Sequence, residues 1–124
     1  MGTLVAIGAG GCVGALARYA VHVALLRVAG PAFPFATLAV NGIGSFALGV
    51  LFGLAETHAV SPTVRLGLGV GVLGAFTTFS TFAVDTLALG ARDGGALLAV
   101  GNVALNVGVA LGAAALGIQL ARSF

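Results

Sequence analysis

The sequence predicts an all-α integral membrane protein with four transmembrane helices per subunit, the third of them broken mid-membrane. Three observations carry this. Of the 124 residues 60% are apolar and only 6% charged, against roughly 25% charged in soluble domains. Four apolar runs, at 3–26, 35–55, 63–89 and 94–120, each approach the ~20 residues that cross a ~30 Å hydrocarbon core. The third run is interrupted by hydroxyl residues and phenylalanines at 76–82. The chain is therefore read as one four-helix transmembrane domain over 1–124, set in a lipid bilayer.

The composition excludes other classes. Eight charged side chains cannot cover a water-soluble surface, and a disordered chain would be poor in apolar residues. Five arginines without a lysine make no phosphate-binding stripe, so no nucleic acid partner is expected. Membrane strands would be about 10 residues long with alternating polarity, which no segment shows.

The first run ends at Gly30-Pro31-Ala32-Phe33-Pro34. It carries Arg18 and, one turn on, His22. Cys12 within it reads as a small buried hydrophobe. Ala15-Leu16-Ala17 has the look of a signal cleavage site, but no positive residue precedes the run, so cleavage is not expected. The second run places Thr37, Asn41 and Ser45 four apart on one helical face, and ends at Glu56-Thr57-His58 with Ser61-Pro62. The third ends at Arg92-Asp93-Gly94-Gly95. The fourth carries Asn102 and Asn106 on one face. His22 and His58 read as span-end residues.

Every run has glycines four apart: Gly10 and Gly14, Gly49 and Gly53, Gly67 and Gly71, Gly108 and Gly112. Small residues let helix backbones approach in lipid, and the set points to packing beyond one four-helix unit. Gly69, Gly71 and Gly74 match a dinucleotide fingerprint only in spacing. They lie in an apolar span rather than between a strand and a helix, so no nucleotide is expected. The flanking arginines tie, Arg65 and Arg122 on one side against Arg27 and Arg92 on the other, so neither orientation is favoured.

Polar residues at membrane depth need a partner or a watered path. Consecutive threonines within Gly74-Ala75-Phe76-Thr77-Thr78-Phe79-Ser80-Thr81-Phe82 are mediocre helix formers, and a break there frees backbone groups. Freed carbonyls suit a cation and hydroxyls an anion. The Arg18 guanidinium is expected to satisfy freed carbonyls, a structural task. Phenylalanine ring edges are positive and attract a small anion weakly, as conduction requires. Asn41, with two amide donors, is the natural companion. Lipid-facing or packing roles for Phe76, Phe79 and Phe82 stand as the alternative.

Three segments resemble one family. Gly10-Gly11-Cys12-Val13-Gly14-Ala15-Leu16-Ala17-Arg18-Tyr19 resembles the GGxxGAxxRY opening of the Fluc (CrcB) fluoride channels. Thr37-Leu38-Ala39-Val40-Asn41-Gly42-Ile43-Gly44-Ser45-Phe46 resembles their TLxVNxxGSF segment, and Thr77-Thr78-Phe79-Ser80-Thr81-Phe82 is their TTFSTF. The order matches, and the resemblance covers essentially the whole chain.

The resemblance implies a fluoride-selective passive channel in the bacterial inner membrane that relieves fluoride toxicity. It implies an antiparallel, dual-topology homodimer with two pores, in keeping with the tied arginines. Phe79, Phe82 and Asn41 would line the pore, with Thr37, Ser80, Thr81, Asp85 and Asn106 as further candidates. A structural Na+ would sit at the dimer interface on the backbone carbonyls of Gly74 and Thr77. Asp85 stands where the family usually has glutamate. Asn102 and Asn106 replace a frequent tyrosine and the first hydroxyl of a line that Ala110 and Ala114 do not continue, and the asparagine amides are expected to substitute as donors.

The main rival is a small dual-topology multidrug or cation exporter. That chemistry needs an acid deep in the membrane, whereas Glu56 and Asp85 fall near span ends. No catalytic constellation assembles, so no enzyme is expected.

Overall fold

The first apolar run forms α1, Gly2–Ala29, which ends where Gly30 turns to φ 70° and Pro31 follows. Its 28 residues reach about 42 Å at the α-helical rise. α2 follows as Phe35–Thr57. A computed structural model describes every residue except 58 and 59, and His58 therefore lies outside the described residues.

The third span is composite. Ser61 caps α3, Pro62–Leu66, its hydroxyl accepting the Val64 N–H at 3.3 Å, with Pro62 in the first turn where its missing N–H costs nothing. The chain then widens its bonding from i+4 to i+5 in a π-helix, Gly67–Leu73. One helical turn remains, α4 at Gly74–Phe76. Thr77 (ψ 160°) and Thr78 (φ −153°) are extended, and α5 resumes over Phe79–Gly90. Gly94, at φ 70°, turns the chain into α6, Ala96–Arg122. Four stretches, Gly2–Ala29, Phe35–Thr57, Pro62–Gly90 and Ala96–Arg122, are long and apolar enough to cross a membrane.

Two backbone-close pairings hold the bundle. A Cβ on Gly10 would stand 2.5 Å from Gly67 O, one on Gly71 2.7 Å from Ile7 O, and one on Gly14 would collide with the Val72 carbonyl. α1 thus lies directly against the π-helix. The more extensive pairing is α2 on α6. There a Cβ on Gly49 would strike the Ala114 carbonyl and one on Gly53 would stand 2.7 Å from Ala121 Cβ. Gly108 and Gly112 differ from the other pairs: among the described residues, nothing beyond the adjoining backbone of α6 lies within 4 Å of a Cβ at either.

The packed interior therefore consists of glycine, small residues, threonine and asparagine, with Val40, Phe76 and Leu89 as the large apolar side chains among the described residues. Leucines and valines such as Leu16, Leu97, Val100 and Leu111 face outward instead, which water would not tolerate on this scale. Cys12 corrects one expectation, because it is exposed. Gly10 and Gly14 turn one face of α1 to the π-helix, and a residue two positions from each falls on the opposite face.

Each end of the bundle is tied across connections. Arg92 Nη1 donates to Ala32 O at 2.8 Å, joining the first connection to the third. At the other end Arg122 Nη2 meets Glu56 Oε2 at 2.6 Å.

Candidate functional site

The break between α4 and α5 organises the polar residues. A continuous helix would donate the Thr78 N–H to the Gly74 carbonyl. Here that N–H goes to Asn41 Oδ1 at 2.9 Å, and Asn41 Nδ2 donates back to Thr78 O at 3.1 Å. The side-chain amide of α2 thus satisfies both backbone groups of one extended residue, much as a neighbouring strand would. Thr78 also caps α5, its hydroxyl accepting the Thr81 N–H at 3.2 Å and donating to Thr81 Oγ1 at 3.0 Å. Thr77 turns its hydroxyl back to Leu73 O at 3.0 Å. Arg18 Nη1 lies 3.5 Å from Thr77 O, the outer limit of a hydrogen bond.

The two polar faces, one on α2 and one on α6, meet each other. Asn41 Nδ2 donates to Asn106 Oδ1 at 3.1 Å. Asn106 Nδ2 donates to Asn102 O at 3.1 Å and Oδ1 at 3.0 Å. Asn102, fully buried, donates from Nδ2 to Thr86 Oγ1 at 2.8 Å, and Thr86 donates to Phe82 O at 2.8 Å. Every donor in this series points the same way, from the break along α6 and back to α5. Among the described residues no buried side-chain nitrogen or oxygen lacks a partner.

A cleft beside the break is lined by Asn41, Ser45, Phe79, Phe82 and Asn106 together with Thr77 and Thr78. The rings of Phe79 and Phe82 tilt at 56° with centroids 5.5 Å apart, and Phe79 is 79% exposed, turned outward from the chain. The other candidates gather on the opposite side of the break. Thr37 donates to Asp85 Oδ2 at 2.6 Å, so the shorter carboxylate does reach a partner on α2. Thr37 and Asp85 share a depression with His22 and Arg92, and a second one places Thr37, Thr78 and Thr81 beside Arg18 and His22. Ser80 lies near the cap, 3.4 Å from Thr78 Oγ. His22 lies two turns inside the end of α1 and lines both depressions.

Among the described residues no group of His, Cys, Asp and Glu could hold a metal ion. Sequence reasoning missed the π-helix and the asparagine series. The series had a signal in the i, i+4 spacing of Asn102 and Asn106 and of Thr37, Asn41 and Ser45; the π-helix had none beyond its glycines.

The architecture defines an all-helical protein with four segments able to span a membrane and a side-chain-clamped interruption in the third. The family model described as CrcB-like protein, Camphor Resistance (CrcB), matches residues 5–118, and the chain belongs to that family. Among its relatives, the Fluoride-specific ion channel FluC of Shewanella loihica is 46% identical over 99% of this chain and 98% of its own length. The proteins of the same description from Shewanella halifaxensis and Shewanella pealeana are 44% and 45% identical over the same shares.

Proposed function

We propose that this chain is a fluoride-selective passive channel of the bacterial cytoplasmic membrane. It works as an antiparallel, dual-topology homodimer with two pores, and its third helix is broken at mid-membrane depth. The observation that carries this reading is the cleft in which Phe79, Phe82, Asn41 and Asn106 adjoin the break, in a chain 46% identical to a protein named for fluoride conduction.

Ring edges of Phe79 and Phe82 attract a small anion without a fixed charge that would hold it. Thr37, Ser80, Thr81 and Asp85 continue the path on the other side of the break. Asn41 and Asn106 wall it and hold the break in shape. Hydrogen fluoride enters cells as a neutral molecule and dissociates inside, which traps the anion. A membrane potential negative inside then drives it out with about 2.3 kcal/mol per charge per 100 mV, and no energy-coupling site is needed.

A structural Na+ fits the donor set at the break. Gly74 is exposed and its carbonyl has lost its helical donor to Asn41, while Thr77 O keeps a lone pair beside the distant Arg18 nitrogen. Backbone oxygen suits a hard cation. Two carbonyls from one chain are few, so the pair from a second copy completes the set. The ion would supply a positive charge that ties two subunits together at the break.

The test is fluoride efflux from liposomes holding the purified protein, read with a fluoride electrode, with valinomycin to carry compensating K+ and chloride in parallel. Rapid fluoride release that depends on valinomycin, without chloride release, is expected. A well-assembled protein that releases no fluoride would refute the reading.

A further inference from the structure

The donors around the Phe79–Phe82 cleft can be followed one by one. Five polar side chains line it: Asn41, Ser45, Thr77, Thr78 and Asn106. The two N–H bonds of Asn41 go to Thr78 O and Asn106 Oδ1. Those of Asn106 are directed at Asn102. The Thr77 hydroxyl donates to Leu73 O and the Thr78 hydroxyl to Thr81 Oγ1. Ser45 alone remains. Among the described residues it makes no hydrogen bond, although a helical serine ordinarily turns back to the carbonyl four residues earlier.

We propose that Ser45 is the side chain that donates a hydrogen bond to the permeating anion in this cleft. The inference rests on the fluoride-channel reading and deepens it. It assigns to a serine the contact that residue type alone would give to the asparagines.

Three features place the hydroxyl for the task. Ser45 follows Asn41 by one turn on α2 and so lies on the same face as the clamp on Thr78. Its neighbour Gly44 lets α2 come against the break: a Cβ there would strike the Thr77 methyl and stand 3.3 Å from Phe76 Cδ1. The first turn of α5 opens onto the same cleft at Phe79, so the positive end of that helix faces the anion beside the ring edges. Ser45 is partly exposed, so its O–H turns to an arriving ion without breaking a bond to the protein. Recruiting either asparagine would first cost a hydrogen bond that holds the break.

The experiment compares wild type, Ser45→Ala and Ser45→Thr in fluoride efflux and in the fluoride dependence of single-channel current, with assembly followed by size exclusion. Ser45→Ala should slow efflux by about tenfold or more and raise the half-saturating fluoride concentration, as expected for losing a hydrogen bond to an ion. Ser45→Thr should keep most of the flux. Wild-type conduction with an unchanged Ser45→Ala protein would overturn the proposal and leave the channel reading intact. Equal losses in both variants, or an Ala variant that no longer assembles, would also overturn it by assigning Ser45 a packing role. A wild type without fluoride flux would overturn the proposal together with the reading beneath it.

Discussion

Asn41 holds Thr78 by both of its backbone groups, accepting the N–H at 2.9 Å and donating to the carbonyl at 3.1 Å. An amide can do this because it carries an acceptor and donors in one plane; a carboxylate carries only acceptors. Asn41→Asp therefore sets oxygen against the Thr78 carbonyl and Asn106 Oδ1. The variant is expected to lose fluoride efflux and to lose about 1–3 kcal/mol of stability for the groups left unpaired. Efflux combined with denaturation in detergent checks both.

Asn106 links that clamp to the rest of the series. Asn106→Ala leaves one Asn41 N–H and Asn102 Oδ1 without their partners, while Asn102 Nδ2 keeps Thr86. Efflux should fall severalfold, whereas Asn106→Ser, which supplies a hydroxyl in place of the amide, should fall less. Untouched flux in the Ala variant would remove Asn106 from both wall and clamp.

Glycine sites divide by what surrounds them. Gly14→Ala drives a methyl into the Val72 carbonyl, and over-packing of this kind costs about 1–3 kcal/mol. Gly112→Ala meets no other helix among the described residues. Thermal melts of the isolated subunit fold should drop for the first and hold for the second. A changed oligomeric state in Gly112→Ala alone would mark that open face of α6 as a contact between copies.

The Thr37–Asp85 contact is short and involves an ionisable acceptor. Thr37→Val keeps the shape but removes the donor, an expected loss of about 1 kcal/mol or more. Thr37→Ser should restore most of the stability. Parallel melts of the three proteins decide the matter.

Glu56 and Arg122 are joined at 2.6 Å with side chains 40% and 54% exposed. Exposed pairs contribute little, so Glu56→Gln should shift stability by no more than about 0.5 kcal/mol. A larger loss in melts at moderate salt would mean that the pair holds the end of α2 to α6.

Much of this was readable in the chain itself, and the reasons are local. Apolar runs mark four helices because length and hydropathy alone decide what can cross a bilayer. Gly30-Pro31 and Gly94-Gly95 mark turns through backbone sterics. The faces of Thr37, Asn41 and Ser45 and of Asn102 and Asn106 follow from helical spacing. That these faces meet does not follow, because it depends on how α2 rotates against α6. Nor does spacing say which glycine pairs find a neighbour: Gly49 and Gly53 do, whereas Gly108 and Gly112 do not. Residue type suggested free amide donors at Asn41, yet only the packed arrangement reveals where those hydrogens go.

The π-helix at Gly67–Leu73 carries an implication about inheritance. A turn that closes at i+5 holds one residue more than an α-turn, so the segment behaves as an insertion stored without lengthening the span much. Relaxing it to ordinary α geometry with every residue kept would shift the angular phase of everything downstream by about 100°. Phe76 would leave its place against Gly44, and Thr78 would swing away from Asn41. A one-residue gap at this point would leave the downstream faces largely in place, whereas loss of the wide turn at full length would not. Bearing, more than length, is what the glycines protect.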